Sequence, residues 1–323
     1  MTQVTTATPI AFSTVGLPDQ QRIELWESHN ADTLIGLRCR TLTAAVLEAT
    51  EINVQLERLH LARVRGSAHV VERDHDLIRR RPTEAIALFF GLAGEAFFYH
   101  DDGVRSLQPG QMLMCDADRP FMRGFSQGLE ELVLKVPREV FADMTGLDGV
   151  AQPVVVDFAG GTNSFAQALA RHVGAAARAE GWQPADEQVL LELVGALTDD
   201  GRRADLRSAH RAAARTYIDC RVSDPGLSAA QVAAAVGIST RHLSRVLAED
   251  GTSLPKYVLA RRLEAAQALL HMPTATSMTI AEVAHHCGFT SAAHFSNAFS
   301  SRFGERATDV RRRATAARTI ALR

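Results

Sequence analysis

The sequence predicts an α+β protein, with strands confined to the N-terminal half of its 323 residues and helices alone in the C-terminal third. Three observations lead there. Short apolar-alternating runs, separated by Gly, Asp and Pro, occupy about Gly36 to Val136. Two helix-turn-helix patterns follow much later, with turn glycines Gly237 and Gly288 that stand 51 residues apart. Charge divides the same way: from Ser208 onward there are 15 basic and 8 acidic residues, and before it 20 basic and 29 acidic. The overall net charge of −2 conceals this split. A basic helical module beside an acidic β-rich one is the arrangement expected of a nucleic-acid reader under a regulatory domain.

In chain order, Met1 to Thr14 reads as a loose polar segment and Asp19 to Asn30 as a helix carrying Trp26. The best strands are Gln55 to Arg65, Ala85 to Leu92, Glu95 to Asp101, Gln111 to Cys115 and Leu129 to Val136. Leu92-Ala93-Gly94-Glu95 predicts a tight hairpin pairing Phe90 with Phe97 and Leu88 with Tyr99, and Pro109-Gly110 a second turn. Strands at this spacing suggest a small β-barrel or sandwich. Two amphipathic helices are expected near Ser164 to Glu180 and Asp186 to Leu197. They can pack on the strands or pair two subunits. Gly201 to Ser208 is short, polar and charged, and reads as a linker.

The C-terminal grammar is more specific. Ser228 caps a helix that buries Val232, Ala233 and Val236, and Gly237 stops it by entering the left-handed backbone. Ile238 plugs the core. Ser239 then caps a helix with Leu243, Val246 and Leu247 inward and Arg241, His242, Ser244 and Arg245 outward. The second unit repeats this. Thr279 caps, Gly288 turns, Phe289 takes the place of Ile238, and Thr290 or Ser291 caps a helix that buries Phe295, Phe299 and Phe303. Its outward candidates are Ser291, His294 and Asn297. Between the units, Ser253 to Met272 reads as one helix, roughly 30 Å long at 1.5 Å per residue. That is close to the ~34 Å turn of duplex DNA, so two short helices on one side could enter successive major grooves. Arginine forks onto guanine in that groove.

This region resembles the DNA-binding domain of the AraC/XylS family of transcription regulators. The resemblance rests on Gly288, Phe289, Phe295, Phe299, Phe303 and Gly304, with Arg311 following. The chain departs from the family's pattern at Arg306, Ala307 and Val310. The strand region resembles the cupin-like effector-binding domain of one branch of that family, through Leu107, Pro109, Gly110, Asp116, Arg119, Pro120, Phe121 and Pro137. The resemblance implies residues 1–200 as an effector-binding and dimerisation domain, with a barrel about 36–136 and helices about 140–200. It implies 201–208 as linker and 209–323 as a DNA-binding domain.

The expected partners are double-stranded promoter DNA, RNA polymerase, a second copy of the chain, and a small effector such as an acid, amide, amine or nitrile-derived compound. The expected role is activation of a small-molecule catabolic operon. If the barrel is hollow, Phe90, Phe97 and Tyr99 are candidate walls, and Arg38, His60 and Arg63 candidate anchors. Asp116 and Arg119 are expected to brace a turn as a local ion pair. A metal-dependent cupin enzyme is the rival class, but it needs clustered histidines with a carboxylate, and His60, His69, His75 and His100 lack that spacing. No metal, cofactor or catalysis is therefore expected. A DNA-binding protein without an effector is the other rival. Cys39, Cys115, Cys220 and Cys287 have neither metal nor disulfide spacing, which suits a reducing cytoplasm. No apolar run approaches the ~20 residues of a membrane span.

Overall fold

The structure, a computed structural model, describes residues 8–42, 45–160, 163–181, 183–198, 206–272 and 278–313. It separates into two compact units, residues 1–209 and 210–323. The expected linker lies outside the described residues except for Leu206 to Ser208, which already belong to a helix.

The N-terminal unit opens with β1 (Ile10–Ser13), so part of the segment expected to be loose is an edge strand. Then come α1 (Arg22–Thr33), β2 (Arg38–Thr41), β3 (Ala49–Gln55), β4 (His60–Gly66), β5 (His69–Arg73) and α2 (His75–Arg80). The expected strand Gln55 to Arg65 is thus two strands, closed by a turn in which the Leu56 amide donates to the Leu59 carbonyl at 2.8 Å. Next follow β6 (Ala85–Ala93), β7 (Ala96–His100), β8 (Gly103–Leu107), β9 (Gln111–Asp116), β10 (Phe121–Phe125) and β11 (Leu129–Pro137). The unit ends with α3 (Arg138–Thr145), β12 (Val154–Asp157), α4 (Ser164–Ala176) and α5 (Glu187–Thr198).

Two antiparallel sheets result. One has seven strands in the order β1-β3-β4-β11-β6-β9-β12, the other five in the order β2-β5-β10-β7-β8. They form a sandwich; no closed barrel occurs among the described residues. The predicted hairpin is therefore wrong. β6 pairs with β11 and β9, while β7 pairs with β10 and β8, so Phe90 and Phe97 lie in different sheets. Gly94, at φ +81°, turns the chain from one sheet into the other rather than back on itself.

Alternation assigns the faces. Ala62, Val64, Ala87, Phe89, Leu113 and Val133 of the large sheet meet Cys39, Val71, Phe98, Phe121 and Phe125 of the small one, with Trp26, Leu34 and Ile35 from α1 and the chain just after it. The outer face of the large sheet is covered by α3 and α4, which pack on β4, β6 and β11. Leu169, Val173, Leu190, Leu193 and Val194 are buried within the chain, so the apolar stripes of α4 and α5 are spent internally.

The C-terminal unit contains α6 (Leu206–Cys220), α7 (Ala229–Val236), α8 (Thr240–Ala248), α9 (Leu254–His271), α10 (Ile280–His286) and α11 (Ala292–Phe303). The caps fall where the sequence places them. Ser228 and Thr279 form capping boxes with Gln231 and Glu282, and Ser239 and Ser291 accept from the amides of His242 and His294. Gly237 is left-handed at φ +77°. Gly288, at φ +85°, has a second reason to be glycine: a Cβ there would stand 2.8 Å from the Val222 carbonyl oxygen. Ile238 is only half-buried, whereas its counterpart Phe289 is buried. Despite the departures from the family pattern, Ala307 and Val310 join the core of Leu263, Val283, Phe295 and Phe299.

Candidate nucleic-acid interface and effector chamber

The two short helices α8 and α11 each bury one apolar face and expose the other. Leu243, Val246 and Leu247 are buried on α8, and Phe295 and Phe299 on α11. Arg241, Ser244, Arg245, Ser291, His294 and Asn297 are all exposed. A groove of about 740 Å³ lies between the units of this pair and is lined by Ser244 and Ala248 of α8, Leu254, Pro255 and Val258 of α9, and His294 at the start of α11. Both recognition helices thus border one concavity, with α9 as its floor.

The arginines of this unit fall into two groups. Arg211 and Arg215 are ion-paired to Glu249 and Asp250, and Arg261 to Asp219. Arg262 donates to the carbonyls of Val222 and Asp224 at 2.8 and 2.7 Å, tying α9 to the loop after α6. These cations hold the unit together. Arg241 and Arg245 have no acidic partner among the described residues and face solvent. The other candidates are less free. His242 is half-buried, its ring edge-on to His210 at 5.3 Å. Ser244 donates its hydroxyl to the Thr240 carbonyl at 3.0 Å, and Ser291 is engaged as the cap of α11. Thr290, an alternative cap in the sequence reading, lines the groove instead.

The predicted effector residues do not converge. Phe90 points to the outer face of the large sheet, where its ring meets Phe158 edge-on at 5.7 Å. Arg63 is on that outer face too, and it shares Glu130 with Arg65. Phe97 and Tyr99 lie on the outer face of the small sheet, the Phe97 ring resting on Gly124, where even a Cβ would stand 2.0 Å away. Arg38 is exposed beside Asp74 at 3.7 Å. Among the six, His60 alone faces the space between the sheets. Strand periodicity had put several of these on a common face, but with two sheets there are two outer faces and only one interior. Asp116 also departs from expectation: it pairs with Arg138 at 2.6 Å, not with Arg119.

The interior that sequence reading missed is unusually polar. His60 Nδ1 is 2.9 Å from Gln55 Oε1 and its Nε2 2.7 Å from the Asn53 side chain. Asn53 reaches His29 of α1 at 3.1 Å, and His29 lies 3.5 Å from a carboxylate oxygen of Glu51. Lys135 donates to the Thr33 and Leu34 carbonyls at 3.1 and 2.8 Å, and burial draws its pKa down. Farther along, Arg123 forms a two-pronged bond with Glu131 at 3.0 and 2.6 Å while its guanidinium lies 4.0 Å over the Phe89 ring. Glu51, Asn53, His60, Arg123, Glu131 and Lys135 sit at inward strand positions that alternation would fill with apolar side chains.

Burial pushes His60 down to about 4, helped by the charges of Lys135 and His29. A depressed histidine means that the unfolded chain takes up more protons below its ordinary pKa of about 6.5. Its contribution to stability is therefore whole above pH 6.5 and lost as pH falls toward 4. Urea midpoints of wild type and His60→Gln over pH 4–7 should show a steeper fall for wild type; parallel curves would mean that His60 is readily protonated in the fold.

Among the described residues no group of three or more His, Cys, Asp or Glu is placed to hold a metal, and no helix is long and apolar enough to cross a membrane.

Comparison with known proteins agrees with this architecture. A helix-turn-helix domain family model matches residues 232–313, and an AraC-binding-like domain model matches residues 26–272. The transcriptional activator NphR of Rhodococcus sp. is 26% identical over 263 residues, covering 76% of this chain and 75% of that one. The transcriptional activator RhrA of Rhizobium meliloti is 31% identical over 106 residues, a third of each chain. The crystal structure of the AraC-like transcriptional activator CuxR is similar at a TM-score of 0.49 and 19% identity, covering 80% of this chain and 95% of that one. With a binding-domain model spanning most of its length and a reader of two helix-turn-helix units at its end, the chain belongs to the AraC family of transcriptional regulators.

Proposed function

We propose that this protein is a cytoplasmic, effector-responsive activator of a small-molecule catabolic operon, acting as a homodimer that recruits RNA polymerase to promoter DNA. The observation that carries the reading is the groove bordered by both recognition helices, with Arg241 and Arg245 exposed on α8 and without an acidic partner among the described residues, while Arg211, Arg215 and Arg261 are held in ion pairs. Phosphate contacts would supply affinity, and α8 most of the sequence preference. The start of α11 offers Ala292 and Ala293, which can meet only a thymine methyl, so His294 and Asn297 carry what reading that helix does. Activation rather than repression is supported by relatives that carry the name of activator. The effector is an acid, amide, amine or nitrile-derived compound held between the two sheets. Binding there shifts DNA affinity only if the ligand prefers one arrangement of the protein over another.

Selection of bound duplexes from a random pool, followed by anisotropy titration of the full chain on single base-pair variants, tests the reading. Arg245→Ala should weaken the best site by about 1–3 kcal/mol and relax preference at one base pair. An equal loss on every sequence would make Arg245 a phosphate contact. Failure to enrich any sequence would overturn the reading.

A further inference from the structure

One buried carboxyl group of the N-terminal unit has a charged-pair contact, His29 at 3.5 Å, but no hydrogen bond. Glu51 is fully buried, and neither carboxylate oxygen has a hydrogen-bond donor within the protein. A buried carboxyl group whose oxygens accept no hydrogen bond is costly to the fold. The other buried acid on this face, Glu131, is taken by both prongs of Arg123. The other polar groups on this face are engaged elsewhere. Gln55 gives its amide hydrogens to the Leu56 and Leu59 carbonyls, so its oxygen accepts from His60 Nδ1. His60 Nε2 faces the Asn53 oxygen at 2.7 Å, and the Asn53 amide nitrogen donates to His29 Nε2 at 3.1 Å. Lys135 donates two of its three ammonium hydrogens to carbonyls of the chain leaving α1. None of these groups makes a hydrogen bond to Glu51.

Strand register shows how a ligand would reach it. Ala49 on β3 pairs with Gly66 on β4, and Gly66 with Leu129 on β11. These three line a groove of about 490 Å³ at one end of the sandwich, rimmed by Glu48, Arg65 and Glu130. The next inward row on the same face is Glu51, Val64 and Glu131. Two residues of strand separate the rows, about 7 Å. The Glu51 carboxyl group therefore stands one row behind an open mouth wide enough for a small organic molecule.

We propose that Glu51 receives the nitrogen head of the effector, an N–H donor such as an ammonium or a primary amide, and that carboxylate-headed compounds are excluded. The inference rests on the effector-binding reading and narrows it. An acid head would bring a second carboxylate against Glu51 and supply no donor, while Glu130 on the rim is already paired with Arg63 and Arg65. An N–H head supplies the donor that both oxygens of Glu51 lack.

The test uses three probes that share one ring, benzylamine, benzamide and benzoate, with thermal shift and calorimetry on the full chain and on Glu51→Gln. Wild type should be stabilised by the amine or the amide and not by benzoate. Glu51→Gln should melt no lower than wild type without ligand and should lose at least tenfold in affinity for the amine. The ligand-free melting point guards against a variant that merely misfolds. Preference for benzoate, no shift with either nitrogen probe, or unchanged amine affinity in Glu51→Gln would each overturn the inference. Benzoate binding that alters DNA affinity would sink this assignment and leave the effector reading standing; loss of sequence-specific DNA binding would sink the latter.

Discussion

Replacing Phe295 with alanine is expected to cost the C-terminal unit about 3–5 kcal/mol and to abolish sequence-specific DNA binding. The ring is fully buried at the centre of an aromatic chain, 5.1 Å from Phe289 and 5.4 Å from Phe299, which itself meets Phe303 at 4.7 Å. Truncation removes the transfer free energy of the ring and leaves a cavity that three neighbouring aromatics are too rigid to fill. Phe295 is also the residue that seats α11, one turn after its cap Ser291. Losing it frees the helix that carries His294 and Asn297 without touching either. Urea denaturation followed by helical signal would measure the first effect, and anisotropy on the selected duplex the second. Phe295→Leu, which retains most of the volume, should lose much less stability. Equal losses for both variants would point to a specific ring interaction rather than to packing.

Arg73→Ala should be of similar size in the N-terminal unit, about 3–5 kcal/mol. This arginine has no exposed side-chain surface, yet four of its five N–H donors are met. It donates to the carbonyls of Ala117, Gly36 and Arg81 at 2.7, 2.8 and 2.9 Å, and to Asp118 at 2.8 Å. It therefore ties three separate loop segments to β5. Burial alone would push Asp118 up, but the amides of Thr83 and Glu84 together with Arg73 hold it below the usual carboxylate range. Alanine would leave three carbonyls and one oxygen of Asp118 short of a donor inside the fold. Arg73→Met separates packing from bonding: it fills the volume and satisfies none of the acceptors, so it should remain well below wild type in urea midpoint. A midpoint for Arg73→Met equal to wild type would show that the space, not the hydrogen bonds, is what matters there.

The helical reader was legible because its determinants are local. A cap, an apolar triplet at helical spacing and a glycine lie within a dozen residues of each other, and each acts on the backbone beside it. Ser228 with Gly237, and Thr279 with Gly288, could be placed without knowing what they pack against. Individual strands were legible for the same reason, since Ala85 to Leu92 and Leu129 to Val136 show their own periodicity. Partnership was not. A run of alternating residues says which side chains share a face but not which strand lies alongside, and the short Ala93-Gly94 connection suited both a hairpin and a passage between sheets. The candidate site failed at this step. Phe90, Phe97 and Tyr99 look alike as apolar strand residues, yet they end on opposite outer surfaces of the sandwich, and Glu51, Asn53 and Lys135 look like surface residues until the second sheet and α1 close over them.

What the sequence by itself determined is therefore the two-part division of the chain, the paired helix-turn-helix units and the residues their caps and turns turn outward, because short-range backbone preferences and one-face burial suffice for these. Tertiary structure alone decided which strands pair, which of the two faces of each sheet is the inside, and that a carboxyl group without a hydrogen-bond donor lies within it. Those depend on contacts between residues far apart in the chain, where the free energy of burial is assigned only once both partners are in place.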